Sequence, residues 1–202
     1  MRSRLLVVGV LAGAIAAVVP FVATTAAVGS NGDPHAVKAY VGYADTLRAP
    51  PFTPSPWMGD PRVTFRGTGP DWDAGAIMLR NPSHNPLTVD DVNVEIGVTT
   101  YDLWAPYPIV VPGKGTLILT QTAFFDFDTS DVPGNDVTVP CDTPSTDIPA
   151  VHVTVGARHP KTKTFFDNTQ VLNTGGVDPV TCTPGANEGH AWKRVKRGHG
   201  TH

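Results

Sequence analysis

Val92-Asn93-Val94-Glu95-Ile96 places an apolar side chain at every second position with a polar one between. Successive side chains of an extended chain point to opposite faces, so this alternation makes a strand with one face buried and the other wet. A helix would need apolar residues three and four apart, which the run lacks. Val151-His152-Val153-Thr154-Val155 repeats the pattern. Around these two, Val63 and Phe65 share one side across Thr64, Ala76 and Met78 oppose Ile77 and Leu79, and Leu117 and Leu119 flank Ile118. No ten-residue stretch after Arg62 carries helical spacing, so the chain is predicted to be all-β.

The connections are legible as turns. Asn81-Pro82-Ser83-His84-Asn85-Pro86 joins two strands, and Val111-Pro112-Gly113-Lys114-Gly115 combines a proline that fixes φ with glycine for the left-handed position. Asn173-Thr174-Gly175-Gly176 is a third turn. Antiparallel strands in this number need a partner layer for their apolar faces, which predicts two packed sheets over residues 62–197, with a closed barrel as the rival.

The N-terminus has a different character. Arg2 and Arg4 precede an uncharged run from Leu5 to Val19, and Pro20 and the small residues Thr25-Ala26-Ala27 follow. This is the order of a secretory signal, which predicts cleavage after residue 27 and a mature chain of 175 residues. The other reading is a retained anchor, since apolar residues continue through Phe21, Val22 and Ala23. Residues 28–61 hold Pro50, Pro51, Pro54, Pro56 and Pro61 and are predicted to form an arm. Within it, Ala36 to Leu47 suits a short helix or strand, and Trp57 and Met58 pin the arm to the core.

Without the signal the chain has thirteen Lys and Arg against eighteen Asp and Glu, a formal charge of −5. That balance does not invite nucleic acid, whose binding needs a concentrated basic face. Lys193, Arg194, Lys196 and Arg197 form one basic cluster, read as a solvated end leading to a disordered tail at 198–202. Cys141 and Cys182 are an even pair in an exported chain, and the expectation is a disulfide between two loops.

Three stretches carry a family resemblance: Gly75 to Ser83, Pro86 to Val92 and Val110 to Leu119. They resemble the lamin-tail domain of nuclear lamins and of many exported bacterial proteins, and Glu188-Gly189-His190-Ala191-Trp192-Lys193-Arg194 is similar to its last strand. The order also resembles secreted bacterial proteins with a Tyr101-Asp102-Leu103-Trp104 segment. The chain departs from the lamin-tail pattern in the insertion around Cys141 and in lacking a Gly-Trp pair after the first turn. The resemblance implies an immunoglobulin-like two-sheet antiparallel sandwich, here with a Pro-rich N-terminal arm, and no particular chemistry.

Two constellations are candidates for function. Asp126, Asp128 and Asp131 alternate in Phe125-Asp126-Phe127-Asp128-Thr129-Ser130-Asp131, and Asp136 can join them. Converging carboxylates are the hard oxygen ligands calcium takes, although the spacing is not an EF-hand; the plain alternative is a solvated acidic loop capped by Thr129 and Ser130. Tyr101, Trp104 and Tyr107 are interleaved with Asp102 and Pro106, with Phe124, Phe125 and Phe127 nearby. Exposed aromatics beside carboxylates grip a protein or stack on a sugar, and alternation of Tyr101 and Leu103 against Trp104 points Trp104 outward; on an inward face the same letters are core. No serine lies in a GxSxG setting, and the histidines share no metal-ligand spacing. The sequence therefore predicts a secreted, non-enzymatic structural or protein-interaction domain without a cofactor. Its partner would be an extracellular protein or cell-surface polymer, with no membrane contact after cleavage. A carbohydrate-binding module is the alternative, and a hydrolase stands behind it.

Overall fold

A computed structural model describes residues 37–129, 147–156, 159–173 and 188–198 of the 202-residue chain. Eleven strands among them form two sheets. The strands are β1 (Lys38–Asp45), β2 (Val63–Arg66), β3 (Asp73–Arg80), β4 (Leu87–Ile96), β5 (Thr99–Tyr101), β6 (Ile109–Val111), β7 (Thr116–Leu119), β8 (Ala150–Val155), β9 (Lys161–Phe166), β10 (His190–Arg194) and β11 (Lys196–Arg197). One sheet runs β10-β1-β3-β7-β2 and the other β11-β9-β8-β4-β5, with β6 also on β4. Pairing is antiparallel except between β2 and β7, which run parallel from Val63↔Thr116 to Arg66↔Leu119. The expected all-β, immunoglobulin-like two-sheet sandwich is the observed architecture.

The alternating residues fill the space between the sheets. Val92, Val94 and Ile96 of β4, Val151, Val153 and Val155 of β8, Ile77 and Leu79 of β3, and Leu117 and Leu119 of β7 are buried in one core. Fully burying side chains of this size contributes about 1.5–3 kcal/mol each, which explains why the register is fixed. Asn93 and His152, the polar residues between, form a register pair on the outer face. His152 Nδ1 lies 3.0 Å from Thr164 Oγ1 there.

The five-stranded sheet is apolar on its other face as well. Ala44, Ala76, Met78 and Ile118 form a second core with Trp57 and Trp72, against which Tyr40, Val63, Phe65 and Trp192 pack. Trp57 meets Trp72 and Phe65 edge to face, with ring centroids 5.4 and 5.3 Å apart, and the Trp192 indole donates to the Pro56 carbonyl. Gly42 leaves room for Trp192, since a Cβ there would stand 2.9 Å from its ring. The proline-rich segment is thus a cover folded over a sheet.

Several expectations are corrected here. Residues 38–45 are a central strand between β10 and β3, so the sandwich takes in part of the segment read as an arm. Trp57 is buried as expected, but Met58 is 55 % exposed and anchors nothing. In the turn before β7 it is Lys114 that adopts the left-handed conformation, at φ 58°. Gly113 serves close approach instead, because a Cβ there would lie 1.9 Å from the His84 carbonyl oxygen. The expected Cys141–Cys182 disulfide is withdrawn: among the described residues there is no cysteine pair at bonding distance, and both cysteines lie outside them. Asp131, Asp136, most of the Asn173 to Gly176 turn and the 1–27 segment also lie outside the described residues, as does the tail beyond Gly198.

Candidate functional site

Trp104 and Phe127 are core, Tyr101 and Tyr107 are half-buried against it, and Phe124 and Phe125 are exposed. Trp104 is 1 % exposed, stands edge to face with Phe127 at 5.1 Å, and donates its indole N–H to the Thr120 carbonyl at 2.8 Å. The Tyr107 hydroxyl donates to the Val92 carbonyl and accepts from the Val92 N–H, both at 3.1 Å, and burial pushes its pKa up. The Tyr101 ring packs on Phe127 at 5.0 Å. Segment 102–108 has no strand of its own, so strand alternation does not apply to Trp104 and it turns inward.

The acidic candidates part company. Asp126 accepts from Thr122 N, Thr122 Oγ1 and Ala123 N at 2.8, 2.5 and 2.8 Å, closing the turn in which it sits. Asp128 instead reaches across to β1, where the Tyr43 hydroxyl is 2.8 Å from its Oδ1. Among the described residues no group of three His, Cys, Asp or Glu side chains is arranged to hold a metal ion.

Asp128 belongs to a buried hub that joins four distant parts of the chain. The Tyr43 hydroxyl also lies 3.1 Å from Asp73 Oδ1 on β3. One hydroxyl carries one proton, so it cannot donate to two ionised carboxylates at once. Burial first, and then the Asp128 charge, raise the Asp73 pKa to about 6. Arg48, from the covering segment, inserts Nη1 3.0 Å from Asp45 Oδ2, 3.1 Å from Asp73 Oδ2 and 3.9 Å from Glu188 Oε2. Burial works against its charge, but the Asp73 and Asp45 carboxylates outweigh that and hold its pKa above the ordinary value. Asp45 also accepts from Leu47 N, Arg48 N and Glu188 N. Nothing in the sequence could have found this hub, since Asp45 and Glu188 are 143 positions apart.

A second polar feature lies on one open side of the sandwich. The chain follows β1 as β10, tucks Val195 into the core, and continues as β11 beside β9 in the other sheet. Val195 N donates to the Ala39 carbonyl and Gly198 N to the Thr164 carbonyl, which fixes this crossing to both sheets. The basic cluster read as a solvated end is therefore structural. Beside it opens a groove of about 430 Å³ lined by Lys38, Lys163, Phe165, Arg194, Lys196 and Arg197, with Val37, Ala39 and Val195 completing its wall. Among the described residues, five cationic ones and no carboxylate line it.

Comparison with known families, characterised proteins and solved structures finds no match. The class is therefore defined by the coordinates alone: an all-β, two-sheet sandwich. The lamin-tail resemblance is corrected to that coarser statement, because no family model ties the chain to lamin-tail proteins.

Proposed function

We propose that this chain is an exported, non-enzymatic structural or interaction domain. The observation that supports it best is the hub. Arg48 pairs with Asp45 and Asp73, the Tyr43 hydroxyl lies against Asp73 and Asp128, and Asp45 accepts from Glu188 N, so these contacts bind the covering segment, the loop before residue 129 and the approach to β10 to the sandwich. Buried polar networks of this kind specify how segments dock. Burial of Trp104 removes the outward indole on which a sugar-binding face was read.

Asp73 is also the group that a hydrolytic reading would select, since a carboxyl held near 6 suits acid–base work. Purified protein assayed against a panel of chromogenic esters, glycosides and phosphate esters is expected to turn over none of them. Turnover abolished by Asp73→Asn in a folded protein would replace this reading with an enzymatic one. Export rests on the signal-like N-terminus, and protein recovered from the medium is expected to begin near Val28. Material retained in cells and beginning at Met1 would remove the export part.

A further inference from the structure

We propose that the cationic groove between the edges of the two sheets receives an extended acidic segment of a protein partner. This names a partner class for the interaction domain proposed above and rests on that reading.

The groove concentrates one sign of charge on a molecule whose balance is the opposite. The whole chain carries −3, yet Lys38, Lys163, Arg194, Lys196 and Arg197 line one groove that no described carboxylate shares. Low-dielectric walls between like charges focus the field and raise the local concentration of an anionic ligand. Lys38, Arg194, Lys196 and Arg197 are exposed, and only Lys163, on the floor beside Phe165, is covered. Arg194 and Arg197 present forked donors, which match carboxylates two bonds at a time.

Geometry selects an extended peptide among anionic ligands. β10 is the outermost strand of one sheet and β11 of the other, and both border the groove. Outermost strands are the positions at which another chain adds by main-chain pairing. Arg194 and Lys196 flank the buried Val195 where the chain crosses from β10 to β11, and both are exposed at the groove. Among the described lining residues Phe165 is the one aromatic, and it is 4 % exposed, so these residues offer no stacking platform for a sugar face or a nucleic-acid base inside the groove.

The test is fluorescence anisotropy on the full mature chain with a labelled alternating Glu-Thr octapeptide. A Gln-Thr peptide serves as the neutral control, and sulfated dextran and oligo-dT are matched to the first peptide in charge. The acidic peptide is expected to bind, to weaken with added salt, and to outcompete both polymers. Arg194→Glu with Lys196→Glu is expected to lose about tenfold or more in affinity, through lost pairing and new repulsion. Arg194→Gln with Lys196→Gln, checked for an unchanged melting temperature, should lose an intermediate amount. Lys114→Glu, in the turn before β7 and outside the groove lining, should lose clearly less than either double variant.

Failure of the acidic peptide to bind, or equal losses in the Lys114 variant, would overturn the proposal. Tighter binding of sulfated dextran or oligo-dT would overturn it in favour of a glycan or nucleic-acid site. None of these outcomes touches the non-enzymatic reading, which the turnover panel decides separately.

Discussion

At the residue scale the most informative group is Asp73. Its carboxyl is 4 % exposed, shares the Tyr43 hydroxyl with Asp128, and is raised to about 6 from an ordinary value of 3.8 by burial and by Asp128. Asp45 beside it raises the value further, while Arg48 opposes; Glu188 Oε2 lies 3.9 Å from the same Arg48 Nη1. A folded-state pKa above the unfolded one means that the native state holds an extra proton between about 3.8 and about 6. Stability therefore falls as pH rises through that window and is level above it. The size of the effect is of order 3 kcal/mol at most. Asp73→Asn keeps the shape and removes the titration, so the variant should lose this downward slope. Thermal unfolding of both proteins from pH 4 to 8 checks it: the difference in melting temperature should grow in the variant's favour between pH 4 and 6 and then stay constant.

Among the elements, the covering segment 46–61 is the least orthodox. It has no strand of its own and five prolines, yet its Trp57 completes the second core with Trp72, Phe65 and Trp192. A sheet whose outer face carries Ala76, Met78 and Ile118 would expose a contiguous apolar patch without that cover. Trp57→Ala should cost about 3–5 kcal/mol in denaturant unfolding, because it removes a large side chain from between three rings. Met58→Ala, at the neighbouring exposed position, should stay within about 0.5 kcal/mol. Equal costs at the two positions would mean that the segment does not lie on the sheet as described.

For the molecule as a whole, closure depends on the chain's last described residues. β10 pairs with β1 and β11 with β9, so the eight residues 190–197 guard an edge of each sheet. Ending the chain after Gly189 would strip both edges, remove Val195 from the core, and expose the backbone groups of β1 and β9 to pairing with other molecules. The expected outcome is loss of the monomer peak in size-exclusion chromatography, with aggregates in its place. Ending it after Gly198 should leave the monomer intact.

How much could be read from residues alone follows the range of the forces involved. Alternation in Val92 to Ile96 and Val151 to Val155 determined strands and their buried faces, because a side chain's direction in extended backbone is set by its own position and nothing distant. The Asn81 to Pro86 and Val111 to Gly115 turns were local in the same sense, although in the second it is Lys114 that takes the left-handed conformation and Gly113 that admits His84. The family likeness pointed to the right layer arrangement without establishing kinship. The tertiary structure decided the rest. Trp104 is inward because Phe127 and the Thr120 carbonyl are there to receive it, and Asp128 meets Tyr43 rather than Asp126's partners because β1 and the loop before residue 129 pack together. Lys193 to Arg197 reads as a soluble end until β1 and β9 stand on either side of it. Charges and rings have no periodicity that announces their partners; only the folding of remote segments onto one another brings Asp45, Arg48, Asp73 and Glu188 within reach.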